Sequence, residues 1–266
     1  MLPRRAVLAF VLMLCSLVVT RPARAEWTWL PGDAGFQPLT ADPREPRFGF
    51  DLVESDRASA FAGRRFTLAR IGAPEPAAAT RISVDGMLWA WLSRRAGFNF
   101  PLESLDGSFG LALDRVSGPW SARVRYGHVS SHLGDGGYDI EARRIVYSRE
   151  QVSALASWAG AKHLRAYAGP TFMVRGSPSA PAFQCQLGGE AAGAPGTASP
   201  YAAFDLRLKA ENANRVNQSY QAGLRFGRVP GQRARIVFGY ETGISERGQE
   251  WQKPEHFFHA GVVLGD

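Results

Sequence analysis

Trp120-Ser121-Ala122-Arg123-Val124-Arg125-Tyr126-Gly127-His128-Val129-Ser130-Ser131 is the stretch on which the fold turns. Its even positions begin Trp, Ala, Val, Tyr and its odd positions Ser, Arg, Arg, Gly. Side chains of an extended strand point alternately to opposite faces. The run therefore predicts a strand with one apolar and one charged wall. The pattern returns along the chain. Leu164, Ala166, Ala168, Phe172 and Val174 alternate with His163, Arg165, Tyr167 and Thr171. Ala202, Phe204, Leu206 and Leu208 alternate with Asp205, Arg207 and Lys209. Tyr220 to Phe226, Ala234 to Tyr240 and Phe258 to Leu264 repeat it.

A half-buried sheet in a soluble sandwich shows such alternation. So does a barrel with lipid outside and a polar lumen. Three features favour the barrel. The segments run to about twice the usual strand of roughly 5–6 residues. Trp120, Tyr126, Trp158, Tyr220 and Tyr240 stand near segment ends, as interface girdles do. Tight connections at Ser117-Gly118-Pro119, 159–162 and 229–232 alternate with longer ones at 132–144, 175–181 and 244–254. The expected fold is an all-β, antiparallel up-and-down transmembrane barrel of about twelve strands. These are placed at 46–54, 65–72, 81–92, 108–115, 119–131, 145–158, 162–174, 182–192, 199–211, 216–228, 233–243 and 255–264. Arg123, Arg125, Arg165, Asp205, Arg207, Lys209, Arg225, Arg235 and Glu241 would line the lumen. Charges of both signs pairing across a barrel of this size predict a narrow or blocked lumen.

The address is read from residues 1–25. Arg4 and Arg5 precede an apolar run from Ala6 to Val19, and Ala23-Arg24-Ala25 supplies small residues at a cleavage site. This is the pattern of a secretory signal peptide. The run falls short of the roughly 20 residues of a spanning helix. Residues 26–45, rich in Pro, Asp and Trp, are expected to form a periplasmic segment, and residues 46–266 the barrel. The charge of +7 has to be divided accordingly. Four of the 31 basic residues and none of the 24 acidic ones lie in residues 1–25, leaving a net +3. That argues against a nucleic-acid partner. Of the 2 cysteines only Cys185 follows the leader, so no internal disulfide forms in the mature chain. No G-x-G-x-x-G spacing occurs, and Gly134-Asp135-Gly136-Gly137 lacks the Lys-Ser/Thr of a phosphate loop. His256 and His259 fall on opposite faces of a strand, so no shared metal and no cofactor is expected.

Ser117 to Arg125, His128-Val129-Ser130-Ser131-His132-Leu133-Gly134-Asp135 and Tyr147-Ser148-Arg149-Glu150 resemble a bacterial family, the domain of unknown function twelve-oh-seven. Pro38 to Arg47 is similar to its N-terminal signature. The resemblance implies an exported outer-membrane protein and brings no activity with it.

One constellation carries chemistry. The period of two places His128 and Ser130 on the wall of Trp120 and Tyr126, at the outer end of their strand. An imidazole within reach of a hydroxyl is a general base to it, and a third group must orient the imidazole. Pairing across a loop centred near residue 139 sets Glu150 opposite His128 and Ser148 opposite Ser130, with Cβ atoms about 5 Å apart. Asp135, Asp139 and Glu141 are rivals for the third role. His128-x-Ser130 resembles the His-x-Ser pair of two outer-membrane acyl hydrolase families, the phospholipase A and lipid A deacylase barrels. In those families Asn commonly follows the serine, where this chain has Ser131. The resemblance implies Ser130 as nucleophile and His128 as base, while Glu150 as orienter comes from the pairing. The bland reading is that polar strand ends simply suit the headgroup level. The expectations are thus a structural, lipid-interacting or narrow-pore barrel, or a hydrolase of outer-leaflet acyl esters, with a soluble periplasmic β-protein as a third reading. Partners would be phospholipid and lipopolysaccharide, with the barrel-assembly machinery during insertion. Arg143, Arg144 and Arg247 are candidate contacts to lipopolysaccharide phosphates.

Overall fold

The computed structural model describes residues 26–32, 35–54, 56–72, 79–94, 99–134, 145–194, 196–212, 215–227 and 233–265. The strands are β1 (Trp27–Trp29), β2 (Phe48–Val53), β3 (Arg57–Ile71), β4 (Ala79–Ser93), β5 (Leu102–Ser117) and β6 (Trp120–Leu133). There follow β7 (Tyr147–Ala161), β8 (Leu164–Ser177), β9 (Phe183–Ala192), β10 (Ala198–Lys209), β11 (Arg215–Phe226), β12 (Ala234–Ile244) and β13 (Pro254–Leu264). Each strand from β2 to β13 pairs antiparallel with its neighbours in sequence, and β13 pairs with β2. The sheet closes on itself, so β2–β13 form a twelve-stranded barrel, and closure removes the edges that an open sheet exposes. β1 is an addition: Trp27, Thr28 and Trp29 pair with Ile71, Arg70 and Ala69 of β3.

The strands fall where alternation put them, with two notable extensions. β3 begins at Arg57 rather than near 65, and β5 at Leu102 rather than 108. Both early stretches mix small, polar and apolar residues (Ala58-Ser59-Ala60 and Glu103-Ser104-Leu105-Asp106), so their period-2 contrast is faint.

The barrel is inside out relative to a soluble fold. Phe109, Leu111, Trp120, Tyr126, Phe204, Phe238, Phe258 and Val262 are exposed on its outer wall. Arg81, Asp85, Asp106, Asp114, Arg123, Asp205, Arg235 and His259 are buried in the lumen. Polar groups deprived of water must be paired. Arg123 donates from Nε to Asp114 Oδ1 at 2.7 Å and from Nη2 to Oδ2 at 3.0 Å. Arg125 donates to both carboxylate oxygens of Asp85, at 2.9 and 2.5 Å. A Cβ at Gly110 or Gly127 would collide with the Arg125 guanidinium, so glycine there makes room for it.

Residues 26–45 do not form a segment apart from the barrel. After β1, the stretch from Phe36 to Arg47 runs through the lumen. Phe36, Leu39 and Ala41 are almost fully buried, and Phe36 and Leu39 pack with Leu155 and Tyr167. The wall binds this plug along its length. The Phe36 amide donates to Asp114 at 3.1 Å, and Arg123 donates to the Phe36 carbonyl at 2.9 Å. Arg165 donates to the carbonyls of Gln37 and Pro38, and the Thr40 amide to Glu190. Arg207 and Gln186 hold Asp42, Trp89 donates to the Pro43 carbonyl, and Arg44 reaches Asp106. A cavity of about 80 Å³ remains between Asp42, Glu45 and the wall at Arg65 and Arg125. Of the narrow or blocked lumen expected, the described residues show a filled one. Part of what fills it is backbone from the segment assigned outside.

The opposite mouth is covered by the β12–β13 connection. Arg247 is only 3% exposed; it donates to Glu103, Glu255 and Ser245, while the Gly248 amide donates to Asp106. Read from sequence as a loop cation facing lipopolysaccharide, Arg247 instead points inward and stitches the cap to the wall. Arg143 and Arg144 lie outside the described residues.

Candidate functional site

Parity along β6 is fixed by its neighbours. Trp120 and Tyr126 are exposed, Arg123 and Ser131 are buried, and His132 is exposed. His128 and Ser130 therefore face outward, near the end of the barrel remote from the Phe48 and Leu264 termini of β2 and β13. The β6–β7 register pairs His128 with Glu150 and Ser130 with Ser148. Arg149, between Glu150 and Ser148, is buried inside, which sets both of those residues on the outer wall. On the other side, His128 pairs with Phe109 and Ser130 with Gly107 of β5.

These pairings give the site its geometry. Directly opposed residues have Cβ atoms about 4.5–5.5 Å apart, a span a carboxylate–imidazole hydrogen bond can close. His128 and Ser130 are two residues apart on one face, about 6.8 Å along the strand, and their side chains can meet between them. The His128 ring stacks on Phe109, with centroids 5.0 Å apart and planes inclined by 26°. The Tyr126 hydroxyl lies beside the Glu150 carboxylate. Among the described residues, neither Ser130 nor Glu150 is hydrogen-bonded to His128. The register sets the three at neighbouring positions of one outward face. Gly107 leaves the flank of Ser130 open: even a Cβ there would stand 3.8 Å from Ser130 Oγ.

The rival third members Asp135, Asp139 and Glu141 lie outside the described residues. Among the described residues no group of three or more His, Cys, Asp or Glu side chains is placed to hold a metal ion. His256 is exposed and His259 buried, on opposite faces as their spacing requires. Cys185 is a free thiol.

Sequence reasoning missed three neighbours of the site. Phe109 falls inside the expected strand 108–115, but its pairing with His128 was not read from the sequence, and Gly107 lies just before that strand. Arg175 was read as a loop residue, but β8 continues to Ser177 and pairs Arg175 with Glu150.

Residues 106–263 match the family described as protein of unknown function, DUF1207. No curated protein matches the chain. Among solved structures, outer membrane phospholipase A from Escherichia coli superposes with a TM-score of 0.54 at 14% identity, over 86% of this chain and 99% of that one. The calcium-bound dimer of the Salmonella typhi outer membrane phospholipase gives 0.54 at 14% identity, over 85% and 94%. At that identity the likeness is one of fold: this is an outer-membrane-type β-barrel.

Proposed function

The chain belongs to the DUF1207 family, and we propose that it is an outer-membrane enzyme that cleaves acyl esters of lipids at the outer surface of its barrel wall. The observation that carries the reading is the pairing of His128 with Glu150, with Ser130 two residues on along the same outward face. Ionisable side chains on the outer wall of a barrel are unusual and point to function. The membrane setting is supported by the outward band of Phe, Leu, Val, Trp and Tyr. It fits a chain whose leader reads as a secretory signal. The filled lumen supports a barrel that works on its wall rather than one that conducts.

In this reading Ser130 Oγ attacks the ester carbonyl while His128 takes the hydroxyl proton. Glu150 orients the imidazole and stabilises its charged form. The imidazolium then protonates the departing alkoxide. Water, deprotonated by His128, releases the fatty acid from Ser130. The outward placement delivers the ester from the bilayer itself, without passage through the lumen. The structural neighbours named as phospholipases make phospholipid the first substrate to try. The test is fatty-acid release from phospholipid vesicles by the purified barrel and by Ser130→Ala. Release by the parent that falls at least a hundredfold in the variant supports the reading. Equal release by both removes Ser130 as nucleophile. No release by a parent that is folded and membrane-inserted leaves a closed structural barrel as the function.

A further inference from the structure

Arg175 owes its position to an irregularity. The β7–β8 register passes from Glu150 opposite Arg175 to Gln151 opposite Met173, so Val174 is an extra residue on β8. Such a bulge reverses the facing of everything beyond it relative to a regular strand. Met173 is buried inside; Val174 and Arg175 are both exposed. At Gly176 a Cβ would point to Arg149, back toward the lumen, and Ser177 pairs with the outward Ser148. Without the extra residue Arg175 would face the lumen with the other arginines. With it, two polar rungs cross three strands of the outer wall. One is His128–Glu150–Arg175; the other is Ser130–Ser148–Ser177.

We propose that Arg175 binds the phosphate of the lipid whose ester is presented to Ser130, which makes glycerophospholipids the substrate class. The proposal rests on the acyl-hydrolase reading and specifies it. Two strand spacings and two residues separate Arg175 from Ser130, about 12 Å between backbones. The long arginine side chain shortens that span. In a glycerophospholipid the phosphate stands a few bonds from the ester carbonyl. A guanidinium offers five donors in a planar fork suited to phosphate oxygens. The hydroxyls of Ser148 and Ser177 flank the same path and add neutral donors. Glu150 lies between the imidazole and the guanidinium. It faces His128 on one side and Arg175 on the other.

The test separates binding from turnover. Lipid binding is read by native mass spectrometry of the full chain in a Ser130→Ala background. The probes are phosphatidylglycerol, lipid A and diacylglycerol of matched acyl length. The expected result is retention of phosphatidylglycerol, about tenfold weaker after Arg175→Gln and largely restored by Arg175→Lys, with diacylglycerol unchanged throughout. In the active chain, Arg175→Gln should raise KM for phosphatidylglycerol about tenfold, keep kcat, and leave a neutral ester unaffected. Unchanged phosphatidylglycerol binding in Arg175→Gln overturns the proposal. So does an equal loss for diacylglycerol, which assigns Arg175 to holding Glu150. Retention of lipid A alone overturns the glycerophospholipid assignment. Failure of hydrolysis in the parent removes the enzyme reading, and the binding result is judged separately.

Discussion

Asp114→Ala is the substitution from which the lumen network is most sharply predicted. Asp114 is fully buried and accepts two hydrogen bonds from Arg123 and one from the Phe36 amide. Its removal takes from the Arg123 guanidinium, 3% exposed, its paired carboxylate, leaving it the Phe36 carbonyl at 2.9 Å and Glu45 at 3.8 Å, and orphans a plug amide. Breaking a buried pair from one side costs about 3–5 kcal/mol. The orphaned amide belongs to the same network, so its own cost of about 1–3 kcal/mol overlaps with that figure rather than adding in full. We expect a loss of about 4 kcal/mol in the free energy of unfolding. Arg123→Met alone leaves the Asp114 charge buried with the Phe36 amide and should cost a similar amount. Together the two substitutions should cost about 2–3 kcal/mol less than their sum, because no buried charge is then left over. Denaturant titration of the barrel in phospholipid vesicles, followed by tryptophan fluorescence and gel migration, reads all four species. The plug keeps its other anchors at Gln37, Pro38, Thr40, Asp42 and Arg44, so Asp114→Ala should remain silent in a planar bilayer. A cost under 1 kcal/mol, or strict additivity, would refute the claim that this pair ties the plug to the wall.

Burial alone would raise the Glu246 carboxyl, but Lys209, Arg207 and Arg44 overcome it and hold that group well below the usual carboxylate range. A depressed carboxyl contributes stability above its unfolded value and loses it as pH falls through the folded value. The stability gap between parent and Glu246→Gln should thus be complete at pH 7, persist through pH 4.5, and close only in stronger acid; a gap independent of pH down to the strongest acid would contradict this. Phe238 is 62% exposed midway along β12. Phe238→Arg should cost about 2–4 kcal/mol in a bilayer of ordinary thickness, and an unchanged unfolding midpoint there would mean that this face does not meet lipid. Glu150→Gln should lower kcat for ester hydrolysis more than KM; an unaffected rate passes the orienting role to another group.

Alternation made the wall legible because a barrel with an apolar outside and a polar inside writes both residue by residue. β6, β10, β12 and β13 carry strong contrast, and their bounds agree with the expected ones to within a residue or two. The same inversion hid the plug. Pro38, Asp42, Pro43, Arg44 and Glu45 have the composition of a solvated segment. In this fold the polar interior takes such residues as readily as water does. Arg247 misled for the same reason, since a loop arginine and a buried, fully paired arginine are the same letter. The site was legible as a rung because hairpin geometry fixes which residues face each other: centring the 132–144 connection was enough to set Glu150 against His128. Arg175 was not, because a bulge breaks the period on which facing is read, and nothing in Phe172-Met173-Val174-Arg175-Gly176 announces one.

The proposed activity makes Ser130 a nucleophile activated by His128 on the outer wall. Its most direct measurement is the site of covalent capture by a lipid-like fluorophosphonate, read by peptide mass spectrometry on the membrane-inserted protein. An adduct is expected on Ser130 in the parent and is lost in His128→Ala while the barrel remains folded. Labelling elsewhere, or labelling of Ser130 that is indifferent to His128, would contradict it.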